Sequence, residues 1–157
     1  MSIPHPLRVA VFGVGAVGGY FGGRLAEAGH RVTFIARGEA LAALRDTGLR
    51  VDSIDGDFVV QPAEATDDPA RVGGVDLVLL GVKAWQVESA APQLAPLLEE
   101  NTAVLPLQNG IEAADQLVAA LGGGHVVGGL CKIICFQVAP AHLNHAGATP
   151  WLALGAV

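Results

Sequence analysis

Two polar residues stand just beyond apolar runs, where a small polar molecule would meet them. Val75-Asp76-Leu77-Val78-Leu79-Leu80-Gly81 leads into Val82-Lys83-Ala84-Trp85-Gln86, and residues 103–108 lead into Asn109-Gly110-Ile111. An ammonium at Lys83 can hold a carboxylate or a phosphate. The Asn109 amide can donate to a carbonyl or hydroxyl and accept from a carboxamide. On spacing alone, each residue would serve equally well as a helix cap or a solvated surface group.

A third cluster explains what such residues would face. Gly13-Val14-Gly15-Ala16-Val17-Gly18 follows the apolar stretch 9–12 and precedes a helix-compatible stretch, 16–28, that Gly29 ends before the strand-like run 31–36. The spacing G-x-G-x-x-G is common by chance in a chain with 21 glycines, so its position between strand and helix carries the inference. In that context Gly13 permits a tight bend, Gly15 lets the backbone approach a pyrophosphate, and Gly18 lets the helix pack close to the strand. The N–H groups and dipole at the helix start then attract phosphate. The six residues Gly13, Val14, Gly15, Ala16, Val17 and Gly18 are therefore candidate dinucleotide contacts.

The run 31–36 ends in Arg37-Gly38-Glu39, where an acidic side chain would hold a ribose 2′-hydroxyl and a guanidinium would pair with a 2′-phosphate. Arg37 favours NADP (NADPH). Glu39, two residues on, is the feature that would serve NAD instead.

The elements that must carry these residues alternate. After the first strand-helix-strand unit, residues 39–46 read as a short helix, and 49–54 and 57–60 flank Asp55-Gly56 as a hairpin. Asp68-Pro69 has the cap and first-turn chemistry of a helical turn. Residues 75–81 read as a buried strand, and 85–98 as a helix split by Pro92 and Pro96. In the strand 103–108, Pro106 cannot donate a ladder hydrogen bond, which predicts an irregular or edge position. A helix over 111–121, a strand over 125–134 and small edge strands within 136–157 complete the chain. The order predicts an α/β fold, a doubly wound, mostly parallel Rossmann sheet with a hairpin insertion, binding ligand at the carboxyl ends of its strands.

Composition narrows the class. The net charge of −6 and the lack of a basic stripe argue against nucleic acid. Residues 9–23 are uncharged and precede Ala26-Glu27-Ala28, but six of those fifteen residues are glycine, unlike a helix-forming secretory core. No apolar run reaches the ~18 residues of a membrane span, so the 52% hydrophobic share reflects buried strands. Cys131 and Cys135 read as buried thiols of a cytoplasmic protein, and His142 with His145 lacks the clustered ligands of a metal site.

Taken together, the glycine loop, Ile35-Ala36-Arg37-Gly38, Val82-Lys83-Ala84-Trp85-Gln86 and Leu107-Gln108-Asn109-Gly110-Ile111 resemble the ketopantoate reductase (2-dehydropantoate 2-reductase) family over essentially the whole chain. The resemblance implies NADPH-dependent reduction of 2-dehydropantoate, a small 2-oxo acid, to (R)-pantoate on the route to pantothenate and coenzyme A. It implies that Lys83 contacts cofactor and substrate and that Asn109 helps hold the nicotinamide and reacting groups. It also places the general-acid lysine and an acidic cofactor contact in a C-terminal helical domain. Residues 1–157 are accordingly expected to be the dinucleotide-binding domain alone, poorly active by itself, with a surface meant for the second domain that would favour homo-oligomers. Other readings are a different Rossmann dehydrogenase acting on a 2-oxo or 3-hydroxy acid, and a non-catalytic NADP(H) sensor.

Overall fold

The computed structural model describes residues 4–157. In chain order the elements are β1 (Arg8–Phe12), α1 (Ala16–Glu27), β2 (Arg31–Ile35), α2 (Gly38–Thr47), β3 (Leu49–Ser53), β4 (Phe58–Val60), β5 (Glu64–Thr66), α3 (Pro69–Val72) and β6 (Leu77–Leu80). Then come α4 (Val87–Ala90), set between the 3-10 turns Ala84–Gln86 and Ala91–Leu97, β7 (Ala103–Pro106), α5 (Glu112–Leu121), β8 (Val127–Ala139) and β9 (His142–Ala156).

Five strands form a parallel sheet in the order β5-β2-β1-β6-β7, so β1 is central and must be apolar on both faces. Its alternation divides the interior in two. Val9 and Val11 join Tyr20, Phe34, Leu44 and Leu143 on one side, while Ala10 and Phe12 join Val78, Leu80, Leu94 and Leu117 on the other. Burial of each such Val or Leu is worth about 1.5–3 kcal/mol. The second side is roofed by α4, the 3-10 turn Ala91–Leu97 and α5, with Pro92 and Pro96 splitting that helical stretch as their chemistry predicts.

The first side is covered by α1 and by a second sheet of order β4-β3-β9-β8. The β3-β4 hairpin forms, but its register and the bond from Gly56 N to Ser53 O at 3.0 Å centre the turn on Ile54-Asp55, one residue before the expected Asp55-Gly56 pair. The C-terminal stretch differs from the expected small edge strands: β8 and β9 are 13 and 15 residues long, pair antiparallel, and β9 lies inside its sheet, parallel to β3. Gly147 and Pro150 read as breakers, but the pairing jumps from Lys132↔Trp151 to Ile134↔Ala146, so residues 147–150 bulge opposite Ile133 and the strand resumes. β9 is pinned to β3 by polar pairs as well as ladder bonds. His142 Nε2 lies 2.7 Å from Asp52 Oδ2, and the buried His145 has Nδ1 2.8 Å from Ser53 Oγ.

Two further differences are small. Residues 64–66 carry no strand pattern in the sequence, yet they pair with β2 and supply the sheet's edge. Cys131 and Cys135 are free and half-buried on the inward face of β8, where loss of hydration pushes the thiol of Cys135 up to about 11 and raises that of Cys131. At the other edge Pro106 ends β7 opposite Leu80, and the next amide, Leu107 N, donates to Leu80 O at 3.1 Å.

Helix α1 fits between the two sheets because the strips it turns toward them are glycine. A Cβ at Gly22 would collide with Val11 Cγ2 and lie 3.2 Å from Phe34 on the parallel sheet. On the adjoining strip, a Cβ at Gly19 would lie 2.8 Å from Leu143, and one at Gly23 2.9 Å from Leu49 and Phe58, all on the second sheet. The replacement Gly22→Ala is expected to lower stability by about 1–3 kcal/mol despite the better helix propensity of alanine, because Val11 and Phe34 must shift. Urea unfolding measures this, and an unchanged midpoint would refute the packing argument.

At the opposite end of the strands from the glycine loop, the Arg8 guanidinium bridges Asp76 and Glu99, each at 2.8 Å. These hydrogen bonds to Arg8 hold both carboxyls below the usual carboxylate range. Their contribution is complete above the unfolded-state values near pH 4 and is lost as pH falls through the depressed folded-state values. The stability gap between wild type and Arg8→Ala should therefore narrow below about pH 4. Denaturant unfolding at a series of pH values reads this, and a gap independent of pH would contradict it.

Candidate functional site

The chain leaves β1 toward β2 on one side, while β6 flanks β1 on the other, so a crevice opens where the carboxyl ends of β1, β2 and β6 diverge. A cleft of about 410 Å³ fills it, lined by Gly13, Val14 and Gly15 from the first loop, Ala36 and Arg37 from the second, and Gly81, Val82 and Lys83 from the third.

The floor is a junction of backbones. Gly13 has φ +94°, in the left-handed region that a side chain disfavours, and a Cβ there would lie 2.7 Å from Val82 N. A Cβ on Gly81 would lie 2.6 Å from Gly13 O and 2.9 Å from Gly18 Cα, and one on Gly18 would collide with Gly13 O. Three glycines from two crossovers thus meet at van der Waals distance. Gly81 belongs to this junction although the sequence marks it only as the end of a strand run. Gly15 differs: apart from its immediate neighbours in the chain, no protein atom lies within 4 Å of where its Cβ would be. The space beside it is open to a ligand, which is what close approach of a pyrophosphate requires. Gly15 is also the N-cap of α1 and offers no side-chain cap, and the first turn carries no acidic residue, leaving its amides and positive dipole end facing the cleft.

Arg37 is the N-cap residue of α2 and reaches the cleft from the end of β2, with Nη2 donating to Gln93 Oε1 at 3.0 Å. Ala40 lines the cleft beside it, whereas Glu39 is not among the lining residues. Lys83 stands exposed on the facing lip, at the start of the 3-10 turn, its backbone N–H donating to Gln86 Oε1 at 3.0 Å. Among the described residues the cleft lining holds two cations, Arg37 and Lys83, and no carboxylate. In a chain of net charge −6 this is a local positive field suited to an anionic ligand.

Asn109 is brought near but not into this cleft. It lines an adjoining depression of about 220 Å³ with Ala84, Gly110 and Ile111. Ala84 follows Lys83 directly, so the two depressions share the lip between them. Gln108 builds that lip: its Nε2 donates to Leu80 O at 2.8 Å and to Val82 O at 2.9 Å, tying the end of β7 to the turn that carries Lys83. Its Oε1 is buried without a partner. The sequence shows Gln108 only as a neighbour of Asn109. It gives no sign at all of Gln137, which enters the cleft from β8. Trp85 and Ile111, 80% and 89% exposed, stand as apolar posts at the two lips.

The arrangement can hold a phosphate-bearing dinucleotide: open amides at a helix start, a glycine with room at its Cβ, and a guanidinium at the end of the second strand. The family model described as ketopantoate reductase PanE/ApbA matches residues 9–157. A 2-dehydropantoate 2-reductase of Nostoc is 33% identical over 138 residues, covering 88% of this chain and 43% of that protein. Among solved structures, the 2-dehydropantoate 2-reductase of Geobacter metallireducens superposes with a TM-score of 0.90 at 34% identity, over 96% of this chain and 49% of that one. A PanE/ApbA family ketopantoate reductase of Ralstonia eutropha gives a TM-score of 0.82 at 40% identity, over 94% and 47%. The chain spans about half the length of the relatives it matches. With the fold, the glycine junction and the family match over residues 9–157 in accord, this chain belongs to the ketopantoate reductase family.

Proposed function

We propose that residues 1–157 are the NADP(H)-binding half of a cytoplasmic 2-dehydropantoate 2-reductase, which reduces the ketone of 2-dehydropantoate to the alcohol of (R)-pantoate. The family is one of oxidoreductases on a Rossmann-type, NAD(P)-binding fold. The observation that carries the finer reading is the pairing of an open Gly15 with Arg37 across one cleft that holds no carboxylate.

In this reading the amides at the start of α1 take the pyrophosphate, which Gly15 admits by lacking a Cβ. Arg37 takes the 2′-phosphate through the planar fork of its guanidinium. The bound dinucleotide would supply a hydride to the keto carbon. Lys83 holds the substrate carboxylate or cofactor at the lip, with its turn kept in place by Gln108, and Asn109 donates to the reacting oxygen or the carboxamide from the adjoining depression. As the family resemblance implies, the proton for the developing alkoxide comes from a lysine of a C-terminal helical domain, whose closure also excludes water.

The surface of the β8-β9 sheet supports a second body there. Leu130, Ile134, Phe136 and Trp151 are exposed on it, and the first three lie on alternate or near-alternate positions of β8. We assign this strip to contact with the helical domain, and to self-association of the 157-residue protein when it is alone. No helix among the described residues is long and apolar enough to cross a membrane.

Replacing Arg37 by Ala should weaken NADPH by roughly tenfold or more, the range of a lost charge-assisted hydrogen bond, and leave NADH nearly unchanged. Fluorescence titration with both dinucleotides checks this, and equal losses would overturn the 2′-phosphate role. Joined to a helical domain of the family, the protein should oxidise NADPH with 2-dehydropantoate, and Lys83→Ala should lower kcat/KM by about two orders of magnitude through lost orientation and charge. Steady-state assays decide it. Turnover of only another 2-oxo acid would replace the substrate, and tight NADPH binding without turnover of any keto acid would make the protein a sensor.

A further inference from the structure

The Arg37 side chain is long, exposed and attached at a helix N-cap, a setting in which a guanidinium samples many rotamers. It is nevertheless held. Gln93 Oε1 accepts from Arg37 Nη2 at 3.0 Å, across 56 residues of sequence and from the opposite wall of the cleft. The Gln93 amide is itself fixed, because its Nε2 donates to Ser89 O at 3.1 Å, which sets the oxygen toward Arg37. Its backbone is equally firm. Gln93 lies in the 3-10 turn Ala91–Leu97, which is anchored in the core by Ala91, Leu94 and Leu97, each fully buried.

We propose that Gln93 is a positioning residue that orients Arg37 for the 2′-phosphate and so sets the dinucleotide preference of the cleft; this rests on the assignment of Arg37 to that phosphate. A guanidinium has five N–H donors, and the bond to Gln93 occupies one, leaving four for a phosphate. The amide holds Arg37 without neutralising it. A carboxylate at the same place would pair with the cation and repel the incoming phosphate, so a neutral acceptor is the side chain that orients the group while preserving its charge. The bond also ties the loop after β2 to the segment after β6, which fixes the width of the cleft where the adenosine end would enter.

The test is titration of the 157-residue protein with NADPH and with NADH, read as the ratio of the two dissociation constants, for wild type, Gln93→Ala, Gln93→Glu, Arg37→Ala and the double replacement of Arg37 and Gln93 by Ala. Gln93→Ala should weaken NADPH by about three- to tenfold, one hydrogen bond's worth of orientation, and move NADH by less than about twofold. Gln93→Glu should weaken NADPH further still, again with little change for NADH. In the Arg37→Ala background, Gln93→Ala should have no additional effect on NADPH. A purely structural Gln93 would weaken both dinucleotides together, or neither, and either result overturns the proposal while a selective loss in Arg37→Ala keeps the phosphate assignment standing. A ratio unchanged by Arg37→Ala overturns that assignment and the proposal with it. Circular dichroism and the thermal midpoint of Gln93→Glu, which keeps the size of the side chain, separate loss of fold from loss of selectivity.

Discussion

The closeness of α1 to the strands around it is the constraint on which the rest of the molecule depends. Gly18 and Gly22 lie against the parallel sheet, and Gly19 and Gly23 against the second sheet, so one helix is nearly without side chains on two adjoining strips. Glycine within a helix costs about 1 kcal/mol per residue relative to alanine. The contact with both sheets offsets that cost, since Val11, Phe34, Leu49, Phe58 and Leu143 all pack at distances that a methyl group would prevent. The same approach sets the start of α1 directly over the end of β1. The open amides at the cleft and the core packing are therefore two results of one fit.

That fit extends into the cleft through Gly81. Its Cα region abuts Gly13 O and Gly18, so the turn after β6 is registered against the turn after β1 by backbone contact. Gln108 then registers the same turn against β7 with two hydrogen bonds. Lys83 is thus positioned by neighbours on both sides although its own side chain is exposed. Arg37, on the remaining wall, is positioned by Gln93. The Arg37 guanidinium is held by an uncharged group and the turn that carries Lys83 is tied by another, so neither cation is neutralised by these contacts.

The second sheet has a different character. It closes one face of the core through Leu49, Val51, Phe58 and Leu143, and the β8 end adds Gln137 to the cleft. Beyond that, the long β8-β9 pair turns an apolar strip outward, and its polar links to β3 run through His142, His145, Asp52 and Ser53. The sheet is thus tied to the core at one margin and carries apolar side chains on its outer surface.

The sequence by itself determined the parallel sheet, the glycine turn, the cationic strand ends and the family, because these depend on local chemistry: apolar period, glycine spacing, and a charge type at a fixed offset from a strand. Pro92, Pro96 and Pro106 were legible for the same reason, each acting on its own backbone, and the β3-β4 hairpin was legible to within one residue of its turn. Only the tertiary structure decided the rest. Residues 64–66 became a strand because β2 offered an edge, and residues 147–150 became a bulge because their neighbours paired strongly on either side. It separated Asn109 from Lys83 into adjoining depressions, left Glu39 out of the cleft lining, and brought Gln93 to Arg37 and Gln137 into the cleft that the glycine loop lines. Those placements join residues far apart in the chain, and their geometry is set by how closely helix and sheets can approach, which no local pattern records.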